Sequence, residues 1–357
     1  MEQTSIFRYT IEELENILME NGFKKFSAKQ IYDWVYIKME TNFDNMTNLS
    51  KELREFIKER FTADLLKDLV TEESKDGTIK ILFMLDDKKT IETVLMPQKY
   101  GQSVCVTTQV GCRMSCKFCA SGLIKTERNL STDEIVRQIY TMNLFLKEKY
   151  KNDPDNKRSR VSHIVVMGIG EPFDNYDNVL KFVKIVNDKR GFEIGARHIT
   201  ISTCGVVPKI KEFADLKTQI NLAISLHASN NEVRNQMMPI NKAFPIEKLL
   251  ESVRYYVDQT NRRVTFEYIL IDGVNDKPEH ANELAKIIRG INGYVNLIPY
   301  NEVEENEYRK SKRIDEFFKI LKKQGINAIV RKEFGADIDA ACGQLRAKRE
   351  GVLKNEI

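Results

Sequence analysis

The sequence predicts an α/β fold in which a parallel sheet is wrapped by helices as in a (β/α) barrel, preceded by a small helical region. Three observations carry this. From Val104 onward, short apolar runs alternate with amphipathic helical stretches, the rhythm of βαβ units. The run His163-Ile164-Val165-Val166-Met167 shows no polar alternation, as in a parallel strand covered on both faces. Polar residues gather where the strands end, at Gly170-Glu171, Ser202, Ser225, His227 and Asn301. A (β/α) barrel builds its site from such strand ends, although an open sheet also binds ligands there.

Taken in order, helices are expected near residues 10–21, 27–38 and 48–62. In the third, Lys51-Glu52-Leu53-Arg54-Glu55-Phe56-Ile57 opens an apolar face that recurs every three or four residues. Two strand-like runs follow, Ile79–Leu85 and Ile91–Met96, with Asp86–Lys89 between them as a hairpin loop. Residues 97–102 read as a connector. Further strands are expected at 104–108, 163–167, 198–203, 220–226, 264–271, 294–299 and 328–331. The helices between them fall near 132–149, 176–188, 208–214, 246–259, 278–290 and 313–324. In the first of these, Ile135, Ile139, Met142 and Leu146 share one face. Residues 150–161 read as a polar, mobile loop. The resulting division is an N-terminal accessory region over 1–97, a core domain over 98–345 and a basic tail over 346–357.

The 357 residues can bury a large core, and 42% hydrophobic with 30% charged residues is the balance of a water-soluble protein. No run of 18 apolar residues and no secretory leader is visible, so a cytoplasmic protein with no membrane segment is expected. The net charge of +4 permits nucleic-acid binding without arguing for it.

Three of the six cysteines, Cys112, Cys116 and Cys119, are spaced C-x3-C-x2-C. Without a secretory signal such clustering points to metal or redox chemistry, not to a disulfide scaffold. A structural zinc site is closed by four ligands, and His163, His198, His227 or His280 could supply the fourth. No second close Cys/His pair follows, however. The other reading is a [4Fe–4S] cluster with one iron left open to a small molecule. Gly168-Ile169-Gly170 does not begin a dinucleotide fingerprint, because Glu171-Pro172-Phe173 stands where the third glycine belongs. Cys342 lies among small and polar residues and reads as an approachable loop thiol. Cys105, read by itself, is a buried small hydrophobe, and Cys204 is read as structural.

With Phe118 before its last cysteine, the triplet resembles the radical S-adenosylmethionine superfamily, and Gly168-Ile169-Gly170-Glu171-Pro172 is similar to that superfamily's GGEP-type motif. In that superfamily the open iron chelates the methionine end of S-adenosylmethionine, and an electron cleaves the sulfonium to a 5′-deoxyadenosyl radical. The resemblance narrows with Gln109–Cys112, Ile201-Ser202-Thr203, Ser225-Leu226-His227-Ala228, Pro239-Ile240-Asn241, Val274-Asn275-Asp276 and Asp339–Leu345. Together with Lys29–Trp34, these motifs resemble the RlmN family of dual-specificity RNA methyltransferases over nearly the whole chain.

The resemblance implies a radical-SAM partial (β/α)6 barrel with an N-terminal helical accessory domain. It implies one [4Fe–4S] cluster on Cys112, Cys116 and Cys119, and two S-adenosylmethionine molecules per turnover. The contacts to S-adenosylmethionine would come from Gly170, Glu171, Ser202, Ser225, Leu226, His227 and Asn301. The reaction would methylate C2 of an adenine in 23S rRNA and of an adenine in the anticodon loop of some tRNAs. Cys342 would accept a methyl group, Cys105 would release the product by attacking the sulfur of Cys342, and Glu92 would accept a proton. Unaided, Glu92 is an ordinary strand glutamate and His227 a structural histidine. The expected partners are 23S rRNA, tRNA and an electron donor such as flavodoxin or ferredoxin, with the chain a monomer. The basic runs 308–313, 331–332 and 346–349 are candidate phosphate contacts, and the N-terminal helices a reader of RNA shape. Two alternatives stay open. One is Cfr-type methylation of C8 of the same adenine, against which Pro172 leans. The other is a non-catalytic, zinc-stabilised RNA-binding protein.

Overall fold

The computed structural model describes residues 3–123, 125–153, 158–302, 307–335 and 337–338. Cys342, the tail 346–357 and part of the polar loop 150–161 therefore lie outside the described residues.

The N-terminal region holds β1 (Thr4–Ser5), α1 (Ile11–Glu20), α2 (Ser27–Tyr32), α3 (Lys51–Arg60) and β2 (Phe61–Thr62), with β1 and β2 paired in parallel. Thr10 starts α1 with a reciprocal cap: its hydroxyl accepts the Glu13 N–H at 3.3 Å, and the Glu13 carboxylate accepts the Thr10 N–H at 2.8 Å. Ser50 caps α3 through the Leu53 N–H at 3.2 Å. The helix expected over 27–38 is α2 continued by a wider π-type turn at Asp33–Ile37. Phe7 fixes this region to the core, its ring 4.7 Å from that of Tyr140.

Four strands follow as an antiparallel meander: β3 (Lys67–Glu73), β4 (Ile79–Met84), β5 (Thr90–Gln98) and β6 (Gly101–Cys105). The stretch 97–102 is a tight hairpin and not a loose connector, since Pro97 pairs with Gln102 and Gln98 with Gly101. Residue 97 thus falls inside β5, and the meander belongs to the same sheet as the core. A short ribbon, β7 (Gln109–Val110) with β8 (Arg128–Asn129), closes the neck of the cysteine loop.

The core continues as α4 (Thr132–Lys149), β9 (Val161–Val166), α5 (Tyr176–Asn187), β10 (Ile199–Thr203), α6 (Val207–Asp215), β11 (Asn221–Ser225), α7 (Asn231–Met237), α8 (Ile246–Thr260), β12 (Val264–Leu270), α9 (Pro278–Ile288), β13 (Gly293–Pro299), α10 (Ile314–Lys323) and β14 (Ala328–Val330). The ten-stranded sheet runs β14-β13-β12-β11-β10-β9-β6-β5-β4-β3. From β6 to β14 all pairs are parallel, and each new strand adds beside the last. An order that never reverses sends every right-handed crossover to one face of the sheet. The helices therefore cover the outside, and the sheet curls around an inner face. Among the described residues β14 does not pair back to β6, so the barrel is partial.

Ile135, Ile139, Met142 and Leu146 of α4 are completely buried, as their shared face requires. Gln138, also fully buried, ties α4 to the sheet. Its Oε1 accepts the Thr107 N–H and the Thr93 hydroxyl, and its Nε2 donates to the Thr107 carbonyl, each at 2.9 Å. Among the described residues no helix is long and apolar enough to cross a membrane.

Candidate active site

A cavity of about 300 Å³ opens at the C-terminal ends of the parallel strands. The cysteine loop forms one wall, with Cys112, Cys116 and Cys119 all on the lining. Gly111 makes the loop possible, because its φ of +77° and its approach to the backbone of Lys125 leave no room for a side chain.

The loop after β9 forms the next wall. Gly170, at φ +111°, is pressed against Gln109, whose Oε1 accepts the Glu171 N–H at 2.8 Å. The Glu171 carboxylate is buried and accepts the backbone N–H of Phe173 at 3.0 Å and of Cys204 at 2.8 Å. Burial raises its pKa above the usual range, and these hydrogen bonds oppose the shift. Glu171 thereby locks the β9 loop to the β10 loop.

Ser202 and Ser225 stand on adjacent strands with hydroxyls 3.3 Å apart, and both line the cavity, as does Asn301 after β13. His227 is held in the left-handed region at φ +56°. Such strain in a non-glycine residue persists only where its surroundings over-determine it. Its N–H donates to the Glu267 carbonyl at 3.2 Å, its own carbonyl accepts from Asn275 at 2.8 Å, and its Nδ1 accepts the Ile269 N–H at 3.1 Å. The ring meets Phe118 edge-on at 4.9 Å. Burial, with Arg234 nearby, pulls its pKa down to about 3, so the ring is neutral.

Leu226 does not line the cavity. Its side chain is in the core, and its carbonyl accepts from Arg234 Nε at 3.1 Å. Cys105 and Glu92 are buried and are not among the residues that line the cavity. Cys105 is the register partner of Val94, which lines the cavity. Glu92 shares a face of β5 with Val94 and Met96, because strand side chains alternate with period two. Arg331 and Lys332 line the cavity where β14 ends.

Glu267 was not singled out by the sequence. It lines the cavity with its carboxyl buried and raised in pKa by burial, accepting from Asn296 Nδ2 at 2.8 Å. Its signal was a single acid in the otherwise apolar-rich run Val264–Leu270. Cys204, taken as structural, also lines the cavity. Asn275 and Asn241, parts of quoted motifs, are struts, with Asn275 holding the carbonyls of His227 and Ile269.

The donor set suits an iron–sulfur cluster. Burial pushes the Cys112 thiol up to about 12 and raises Cys116 as well, with the neighbouring cysteines adding to both shifts. Thiols so reluctant to ionise alone bind as thiolates once a metal supplies the positive charge. Among the described residues no three His, Cys, Asp or Glu side chains gather tightly enough to hold one ion. The three thiols that line the cavity are a donor set of the kind that holds an iron–sulfur cluster.

Comparison with known proteins agrees with this geometry. Residues 106–285 match the model of the radical SAM superfamily, and residues 4–62 match the ribosomal RNA large subunit methyltransferase N-terminal domain. A probable dual-specificity RNA methyltransferase RlmN from Spiroplasma citri is 64% identical over 351 residues, covering 98% of this chain and 99% of the relative. The chain belongs to the RlmN family of radical SAM methyltransferases. A relative of the same description from Enterococcus faecalis is 53% identical, with both chains fully covered. The crystal structure of a radical SAM methyltransferase from Sphaerobacter thermophilus superposes with a TM-score of 0.89 at 41% identity, over 96% of this chain and 98% of that one. The RlmN-family chain is accordingly a methyltransferase, and its superfamily brings a [4Fe–4S] cluster and S-adenosylmethionine as cofactors. The non-catalytic zinc-stabilised alternative falls with this assignment.

Proposed function

We propose that the chain methylates C2 of an adenine in 23S rRNA and of an adenine in the anticodon loop of certain tRNAs. The observation that carries this reading is the shared cavity. The three loop cysteines line it together with Gly170, Glu171, Ser202, Ser225, His227 and Asn301, in a chain 64% identical to an RlmN relative over almost its full length. Cys112, Cys116 and Cys119 would hold one cluster, leaving an iron for S-adenosylmethionine. When bound, that pair supplies a 5′-deoxyadenosyl radical.

The chain's own residues do the rest. C2 of adenine is electron-poor, so direct displacement by that carbon on a sulfonium methyl is closed to it. Cys342 takes the methyl group first, from one of two S-adenosylmethionine molecules used per turnover, and carries it to the base. The S-methyl group of Cys342 gives one hydrogen to the 5′-deoxyadenosyl radical, and its carbon then bonds to C2. The adduct gives back one electron as the C2 proton leaves. Cys105 attacks the sulfur of Cys342 and breaks its bond to that carbon, which takes up a proton to become the product methyl group. The disulfide left behind is reduced by an external thiol before the next turnover. Glu92, on the cavity-side face of β5, accepts the proton lost from C2. Arg331 and Lys332 at the cavity, with the run 308–313, contact RNA phosphates, and the N-terminal helices read RNA shape. The enzyme acts in the cytoplasm as a monomer, reduced by a flavodoxin or ferredoxin.

Mass spectrometry of adenosines from 23S rRNA and tRNA, in cells with and without the enzyme, tests this reading. Enzyme-dependent 2-methyladenosine is expected. An 8-methyl product would support the Cfr-type alternative instead.

A further inference from the structure

We propose that Arg234 is a positioning residue that places a fixed positive charge behind the iron–sulfur cluster, raising its reduction potential, and ties together the strand ends that receive S-adenosylmethionine. The proposal rests on the assignment of the cluster to Cys112, Cys116 and Cys119.

Arg234 lies on α7 and is completely buried. Its Nε donates to the Leu226 carbonyl at 3.1 Å and its Nη1 to Asn241 Oδ1 at 3.0 Å. Its Nη2 donates to the carbonyls of Cys204 at 2.6 Å and Ser225 at 3.3 Å. All these acceptors are neutral. Burying an ion without a counterion costs several kcal/mol, so a structural tie alone explains the hydrogen bonds but not the choice of a cation.

A cluster held by Cys112, Cys116 and Cys119 would supply the missing negative charge. The Lys117 N–H, between two of the loop cysteines, donates to the Met237 carbonyl at 3.0 Å, so α7 is bonded directly to the cysteine loop. Met237 and Met238 belong to the apolar cluster against which Cys112, Cys116 and Phe118 pack. In that low-dielectric filling a charge is poorly screened. Burial draws Arg234 down to about 10, so the guanidinium keeps its charge at neutral pH.

An iron–sulfur cluster on thiolates gains negative charge when reduced. A buried cation beside it stabilises the reduced form more than the oxidised form, and the potential rises. The same fork bonds carbonyls after β10 and β11, beside Ser202, Ser225 and His227. Asn241, in turn, is held by Asn231 Oδ1 at 3.0 Å and Asn235 Oδ1 at 2.9 Å, which gives the Pro239-Ile240-Asn241 motif a task.

The test is redox titration of the anaerobically reconstituted holoenzyme, together with its affinity for S-adenosylmethionine. Arg234→Gln is expected to shift the midpoint to more negative potential, and Arg234→Lys to stay close to wild type. Both should bind S-adenosylmethionine more weakly. Asn241→Asp keeps the fork but sets a carboxylate against Nη1, and is expected to shift the midpoint in the same direction. If Arg234→Gln does not fold, Asn241→Asp alone decides. A wild-type chain that takes up no iron would remove the cluster assignment itself. A loaded wild type whose midpoint the Asn241→Asp variant shares, with Arg234→Gln the same wherever it folds, would overturn the role of Arg234.

Discussion

Nδ1 of His227 accepts the backbone N–H of Ile269 at 3.1 Å. That bond assigns the tautomer: a neutral ring accepting at Nδ1 carries its proton on Nε2 and is a donor there, not a metal ligand. His227→Ala is therefore expected to leave the iron content of the holoenzyme unchanged while weakening S-adenosylmethionine binding. The orphaned Ile269 N–H should cost about 1–3 kcal/mol of stability. Iron analysis and thermal melting check this, and loss of iron along with the ring would make His227 a ligand after all.

Cys105 is the register partner of Val94, which lines the cavity, and the proposed scheme gives its thiol the release step. Cys105→Ala is expected to accumulate a covalent protein–RNA adduct, visible as a retarded, nuclease-sensitive band. Cys342→Ala should give neither adduct nor product. If both variants still methylate RNA, the two-cysteine scheme is wrong.

The parallel strands were legible because a strand buried on both faces is written as a continuous apolar run. The run at 163–167 appears, within two residues, as β9. β3 was not legible: Lys67–Glu73 lies at the sheet edge and is mostly exposed, so no apolar alternation marks it. α7 has only seven residues, too few for a helical period to stand out, and it carries Arg234. The cysteine triplet announces itself by spacing, because its three residues lie within eight positions of the chain. Glu267 and Cys204 reach the cavity only through the curl of the sheet, which no local pattern records.

Gly170 makes a sharper prediction about the loop after β9. A Cβ there would sit 2.7–2.9 Å from three side-chain atoms of Gln109, at a φ of +111° that other residues rarely adopt. Gly170→Ala should cost about 1–3 kcal/mol in backbone strain alone and displace the Gln109–Glu171 bond. Weaker S-adenosylmethionine binding should accompany a lower melting temperature. Gly22→Ala is the control, since its φ of +80° is also strained but nothing lies within 4 Å of the added carbon. It should melt lower without touching cofactor affinity, and equal affinity losses in the two variants would mean that Gly170 has no special place.

Asp76 binds the turn between β3 and β4 to the segment that leads toward Cys342. Its Oδ1 accepts the Thr78 N–H at 2.9 Å and its Oδ2 the Gly335 N–H at 3.2 Å. Slight burial raises this carboxyl, but hydrogen bonds from Thr78, Gly335 and Ser74 outweigh it and bring the pKa to about 2 from 3.8. A depressed carboxyl stabilises the fold above its unfolded pKa and loses that contribution as pH falls through the folded value. Asp76→Asn should thus unfold at lower urea than wild type at neutral pH, with the difference shrinking as pH drops from about 4 toward 2. A difference that stays constant across that window would mean that the ionised carboxylate is not what holds the two segments together.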